Sequence, residues 1–140
     1  MTAVQIGLVQ DNFARVQSIA PLAARLFYER LFTIDPSLRT MFGGDLGEQG
    51  KKLMQILCVT VNALRHIDQI LPAVEEMGRR HAQYGVRNEH YATVAAAFLD
   101  TLEDTLGKAF TTEAEDAWLA MFEVVAGAMQ RGAARLPRAA

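Results

Sequence analysis

Cysteine is almost missing from the 140 residues: Cys58 stands alone. Neither an intrachain disulfide nor a cysteine-held metal cluster can form, and a reducing compartment, the cytoplasm, is the expected location. Long apolar runs are missing too. The longest, Ala92 to Leu99, contains Thr93 and falls far short of the roughly 20 residues that cross a bilayer. Asp11 and Arg15 interrupt the N-terminal stretch, so no signal peptide and no membrane association are expected. No charge of one sign dominates. Fourteen Lys and Arg against sixteen Asp and Glu leave a net charge of −2, which offers no basic face to nucleic acid or to a membrane surface. Alternation of apolar and polar residues with period two is absent, and so is any internal repeat.

What is present is helical. Hydrophobic residues make up 51% of the chain and charged ones 21%, a globular balance whose length suits one domain, residues 1–140, with a frayed tail from about 135. Thr2 and Gln5 can form a capping box for a first helix with Ile6, Val9, Phe13 and Val16 inside. Pro21 suits the first turn of a second, carrying Leu22, Leu26, Phe27, Leu31 and Phe32. Asp35-Pro36-Ser37 starts a short third that Gly43-Gly44 ends. Asp45 to Gly50 reads as loop turning into helix. From Lys51 to about Ile67 the spacing is helical, with Leu53, Ile56, Leu57, Val61 and Leu64 on one face. Another helix runs from near Pro72 to Gln83, where Gly85 stops it. Asn88 caps Glu89–Leu106, closed by Gly107, and Thr112 with Glu115 boxes a last helix to about Ala134. Periodicity alone supports a plain helical bundle.

One histidine invites a chemical reading. His81 lies at the C-terminal end of its helix, with Met77 one turn and Val74 two turns before it. Alone, after Arg79 and Arg80, it reads as readily as a surface residue complementing the helix dipole. Its company matters more. Phe27-Tyr28, Pro36, Phe42, Gln49, Leu53, the string Gly78-Arg79-Arg80-His81-Ala82-Gln83-Tyr84-Gly85-Val86, then Asn88-Glu89-His90-Tyr91 and Trp118 occur in order. Together they resemble globins of the bacterial flavohaemoglobin type, and the likeness runs from about Leu26 to Val125.

The resemblance implies an all-α globin fold of about seven to eight helices around a pocket for haem b. It makes His81 the proximal ligand of the iron and Phe42 the phenylalanine that stacks on the ring. Tyr28 and Gln49 become the polar groups facing a bound gas, with Leu53 the apolar residue above the iron. Val86 and Tyr91 line the proximal side, and Arg80 with Arg79 stands near the propionates. The chemistry of these side chains suits such a site. A phenol O–H and an amide N–H stabilise a diatomic ligand that gathers negative charge, and Leu53 and Phe42 exclude water. Plainer readings stay open. Tyr28 could be core, Gln49 an exposed loop residue, and Arg79 and Arg80 solvated charges at a helix end. His66 and His90 read as structural, and Cys58 as a small buried apolar residue.

Two departures shape the expected function. The family pairs the proximal histidine with a tyrosine and a glutamate; Tyr91 is present, but an ungapped count from Trp118 puts Ala133 in the glutamate's place, and Glu123 comes nearly three turns too early. Less electron density is then pushed onto the iron. The chain also stops where the reductase domain of the larger relatives would begin, so turnover would call on an external reductase. The resemblance therefore implies a haem protein binding dioxygen, nitric oxide and carbon monoxide, for oxygen storage or nitric oxide detoxification, as a monomer or weak homodimer. A nitric oxide dioxygenase with a separate electron donor is the second reading, and a haem-based gas sensor the third.

Overall fold

A computed structural model describes residues 1–135, so the tail expected to fray lies, but for Arg135, outside the described residues. Six α-helices follow in order: α1 (Ala3–Gln17), α2 (Ala20–Ile34), α3 (Leu46–Asn62), α4 (Leu71–Gln83), α5 (Asn88–Leu106) and α6 (Thr112–Ala133). Three 3₁₀ segments, Pro36–Met41, Leu64–Gln69 and Gly107–Ala109, join them. No strand occurs among the described residues. No helix there is long and apolar enough to cross a membrane.

The Thr2–Gln5 capping box opens α1 as expected, and Pro21 sits in the first turn of α2. The Asp35 side chain accepts from Ser37 N–H to start the short 3₁₀ segment. Elsewhere the boundaries move. The carboxylate of Asp45 accepts from Gly47 N–H at 2.8 Å, so α3 begins at Leu46 and Gln49 lies on a helix, not in a loop. It ends at Asn62, and the Leu64–Gln69 segment, kinked at His66, takes over. Arg87, not Asn88, is the residue before α5. Thr111, not Thr112, caps α6 by accepting from Ala114 N–H. On the faces, Leu22 and Ile56 are exposed where burial was expected, and Met54 and Ala24 take the inward places.

The core has three parts. Around Trp118, Met121, Val9 and Val61, residues of α1, α2, α3, α5 and α6 form the largest. Trp118 Nε1 donates to Asn12 Oδ1 at 3.2 Å there, so the buried indole N–H is satisfied. A second part joins Phe27, Tyr28, Leu31 and Leu38 to Ala97, and a third sets Val74 of α4 against Ala128 and Met129 of α6. Helix α3 packs on α2 and α1, α4 packs along α6, and α3 and α4 do not pack on one another. That separation positions the site.

Candidate functional site

His81 belongs to the last turn of α4, and the end of that helix is tightly specified. Gly85 takes φ +97°, a left-handed conformation that glycine adopts without strain. This lets Val86 N–H donate to the His81 carbonyl at 3.0 Å and Gly85 N–H to Ala82, the pattern of a Schellman cap. The ring is held as well: Nδ1 lies 2.7 Å from the Met77 carbonyl oxygen. Since a carbonyl only accepts, Nδ1 carries the proton, and Nε2 keeps its lone pair for a metal. The other two histidines are differently placed. His90 is buried and accepts from Arg87 N–H at 2.9 Å, a capping role. His66 is exposed on the kinked 3₁₀ segment.

The expected distal residues Tyr28, Phe42 and Leu53 belong to the second core part. The Tyr28 ring is almost wholly buried, with its centroid 5.4 Å from that of Phe42 in an edge-on arrangement and 6.0 Å from Phe32. Phe42 and Leu53 are only half-buried. Met77 and Tyr91, both half-buried, pack at the edge of the third part. The Tyr28 hydroxyl has no hydrogen-bond partner among the described residues, yet it is not sealed off as an unsatisfied buried atom. Burial pushes its pKa up to about 12, and raises that of Tyr91. At neutral pH the phenol therefore stays protonated, a donor with no protein acceptor among the described residues.

That shift carries a prediction. A folded-state pKa of about 12 against an ordinary 10.0 means the unfolded chain releases this proton first. The stability tied to Tyr28 is complete below pH 10 and is lost as pH rises through about 12. Denaturant midpoints measured from pH 9 to pH 11.5 are expected to fall less steeply in Tyr28→Phe than in the parent chain. Equal slopes would mean the phenol is not buried.

The remaining expected residues are placed unevenly. Val86 is half-buried beside the cap. Gln49 is exposed on α3, one residue before buried Gly50. Arg79 is engaged by Glu76, with Nε 2.9 Å from Oε2, while Arg80 is exposed and reaches the same carboxylate only at 3.7 Å. Cys58 is half-buried, with its sulfur 3.2 Å from Gln17 Nε2. On α6, Glu123 is exposed. Ala133 follows Gly132, whose Cα sits on the Glu75 backbone, so the ungapped place of the missing glutamate lies nearly two turns of α4 away from His81.

Three contributors were not singled out in the sequence: the Met77 carbonyl, Gly50 and Gly78. A Cβ on Gly50 would come 2.9 Å from Ala24 Cβ, so α2 and α3 cross there nearly backbone to backbone. Gly78, one turn before His81, meets the Met129 backbone of α6 in the same way. Glycine inside a helix costs about 1 kcal/mol relative to alanine, and that cost was the available signal of a close approach.

Comparison with known proteins identifies the family. The zebrafish (Danio rerio) protein "Neuroglobin" is 29% identical, over 92% of this chain and 90% of its own length. The "Flavohemoprotein" of Bordetella parapertussis is 35% identical over 70% of this chain, and that of Vibrio cholerae 27% identical over 87%. The chain spans only a quarter to a third of those two flavohemoproteins. The fold matches the solved structure of an engineered carbene transferase from Rhodothermus marinus with a TM-score of 0.85 at 21% identity, covering 96% of this chain and 94% of that one. The family model "Globin" matches residues 25–129, a span that takes in Tyr28, Phe42, Gln49, Leu53, His81 and Tyr91: the chain belongs to the globin family.

Proposed function

We propose that this globin holds haem b through His81 and binds dioxygen and other diatomic gases at ferrous iron, for oxygen binding or storage or within nitric oxide detoxification. The observation that carries it is the pinned His81 ring: Nδ1 on the Met77 carbonyl, Nε2 free. The residues present fit the group. One imidazole with a fixed tautomer is the ordinary protein ligand of a gas-binding haem. Among the described residues no cluster of three His, Cys, Asp or Glu side chains could hold a bare metal. Phe42 and Leu53 are half-buried against the second core part and Met77 and Tyr91 against the third, while α3 and α4 are not among the helix pairs that pack on one another.

The haem, when bound, would supply an iron that takes a diatomic ligand. The chain does the rest. Met77 orients the ring through a neutral carbonyl, which withdraws less proton density from Nδ1 than a carboxylate would. That difference favours holding a ligand over peroxide-type chemistry. Phe42 and Leu53 keep water out, and the protonated phenol of Tyr28 is the donor for a ligand that gathers negative charge. Gln49 is exposed on α3 and would supply a second donor only by turning inward. Arg80, less engaged than Arg79, is the guanidinium available to a propionate.

Tyr28→Phe tests this directly. A hydrogen bond of that kind contributes on the order of 1.5–3 kcal/mol, so the variant is expected to release dioxygen roughly tenfold to a hundredfold faster in stopped flow. An unchanged rate would turn Tyr28 away from the ligand. The likeness to flavohemoproteins keeps a second reading alive, a nitric oxide dioxygenase served by a separate reductase. Nitric oxide consumption by the oxygenated protein, sustained only when a reductant is added, distinguishes it from simple storage.

A further inference from the structure

With no protein partner for its hydroxyl among the described residues, the Tyr28 phenol is aimed by the packing of its ring. Three rings touch it. Phe27 lies 5.1 Å away between centroids and is itself stacked on Phe98 at 4.2 Å. Phe32 lies nearly parallel to Tyr28 at 6.0 Å and Phe42 edge-on at 5.4 Å. These two also meet each other edge-on, at 5.5 Å. Phe27 is buried, whereas Phe32 and Phe42 are only half-buried, so their orientation depends on what lies over them. Arg39 reaches both. Its guanidinium carbon stands 5.2 Å from the Phe32 ring centroid, within the distance at which a cation is attracted to a ring face. Its backbone carbonyl accepts from Phe42 N–H at 3.2 Å. The side chain is exposed and joins no ion pair among the described residues. Buried Leu38, the residue before it, anchors the 3₁₀ segment that carries it.

We propose that Arg39 is a positioning residue for Tyr28, acting through the Phe32 ring and the Phe42 backbone to fix where the phenol points. For its effect on a bound gas the inference rests on the haem reading: a donor held in one direction keeps its ligand longer than one that swings. An uncapped Phe32 turns about its side-chain bonds, and the face it shows to Tyr28 turns with it. A cation over the ring favours one of those orientations. A guanidinium is planar and lies along a ring face, so an ammonium replaces it only in part. Plain packing is the competing explanation. The aliphatic stem of Arg39 would then be what matters, and a neutral stem of similar length would serve equally well.

Three variants separate charge from packing. Arg39→Met keeps an unbranched stem without the cation, and Arg39→Lys keeps a cation without the plane. Arg39→Met combined with Tyr28→Phe closes a double-mutant cycle. Carbon-13 NMR of the tyrosine rings follows flipping of the Tyr28 ring in the full chain as purified, with Tyr28→Phe assigning the signal. Arg39→Met is expected to speed flipping by about two- to fivefold, and Arg39→Lys by less. In the haem-loaded chain, stopped flow is expected to show dioxygen leaving about two- to fivefold faster in Arg39→Met, with no further change in the Tyr28→Phe background. A Tyr28 ring that flips at the parent rate in Arg39→Met, or an oxygen effect of equal size in the Tyr28→Phe background, overturns the proposal. A chain that takes up no haem ends the haem reading, and ring flipping then decides the positioning role alone.

Discussion

His81→Ala is expected to abolish normal haem ligation. The parent ferrous protein should show a five-coordinate spectrum open to carbon monoxide, and the variant should lose haem on gel filtration or show a spectrum without the imidazole ligand. The reason is local. His90 has its Nδ1 engaged by Arg87 N–H inside the protein, and His66 is exposed on a separate segment, so neither can replace Nε2 of His81. Added imidazole should restore the ferrous spectrum by occupying the space the side chain vacates, because the Val86–His81 cap is made by backbone and survives the substitution. His66→Ala is expected to keep the parent spectrum. The reverse pattern, haem kept in His81→Ala and lost in His66→Ala, would put the ligand on the wrong segment.

How far the sequence could carry these conclusions depends on where each signal resides. Local backbone chemistry was readable. Thr2 and Gln5 cap α1 through bonds three residues apart, and Gly85 ends α4 because a left-handed residue is needed there. Boundaries set by competing caps were less readable. Asp45 already satisfies Gly47 N–H, which draws the start of α3 back through Gly47 and Gly50, residues that look like a loop. Thr111 and Thr112 are equal candidates on chemistry, and only the docking of Ala114 inside the core selects the first. Face assignments failed where helices cross closely. Ile56 has the right spacing to be buried, but α3 presents Gly50 and Met54 to α2, and Ile56 turns outward. Order of residue types along the chain, from Tyr28 to Trp118, marked the family, whereas no spacing rule could show that the Met77 carbonyl would orient His81. That bond follows from helical geometry four residues back, once the ring turns toward its own helix.

The close approach of α4 and α6 leads to the second large expected effect. A Cβ added to Gly78 would fall inside the contact radius of the Met129 carbonyl and Cα, and one on Gly132 inside that of the Glu75 carbonyl. These obstacles are backbone, so no side-chain rotation relieves them, and α4 has to lift off α6. The lift opens the contact of Val74 with Ala128 and Met129, and α6 is the main support α4 has. Alanine's better helix propensity returns only about 1 kcal/mol. Gly78→Ala is therefore expected to destabilise the fold by about 3 kcal/mol or more, a fall in Tm of roughly 10 °C. It should also weaken haem retention, because His81 rides on the same helix one turn away. Gly127→Ala is the matched control. It lies on α6, but its added Cβ would meet only the end of the Arg131 side chain at 3.6 Å, so it should gain up to about 1 kcal/mol. Thermal melts of the two variants, with and without haem, decide the matter: if Gly78→Ala melted as high as Gly127→Ala, the two backbones would not be in contact at Gly78, and the position of His81 would need another explanation.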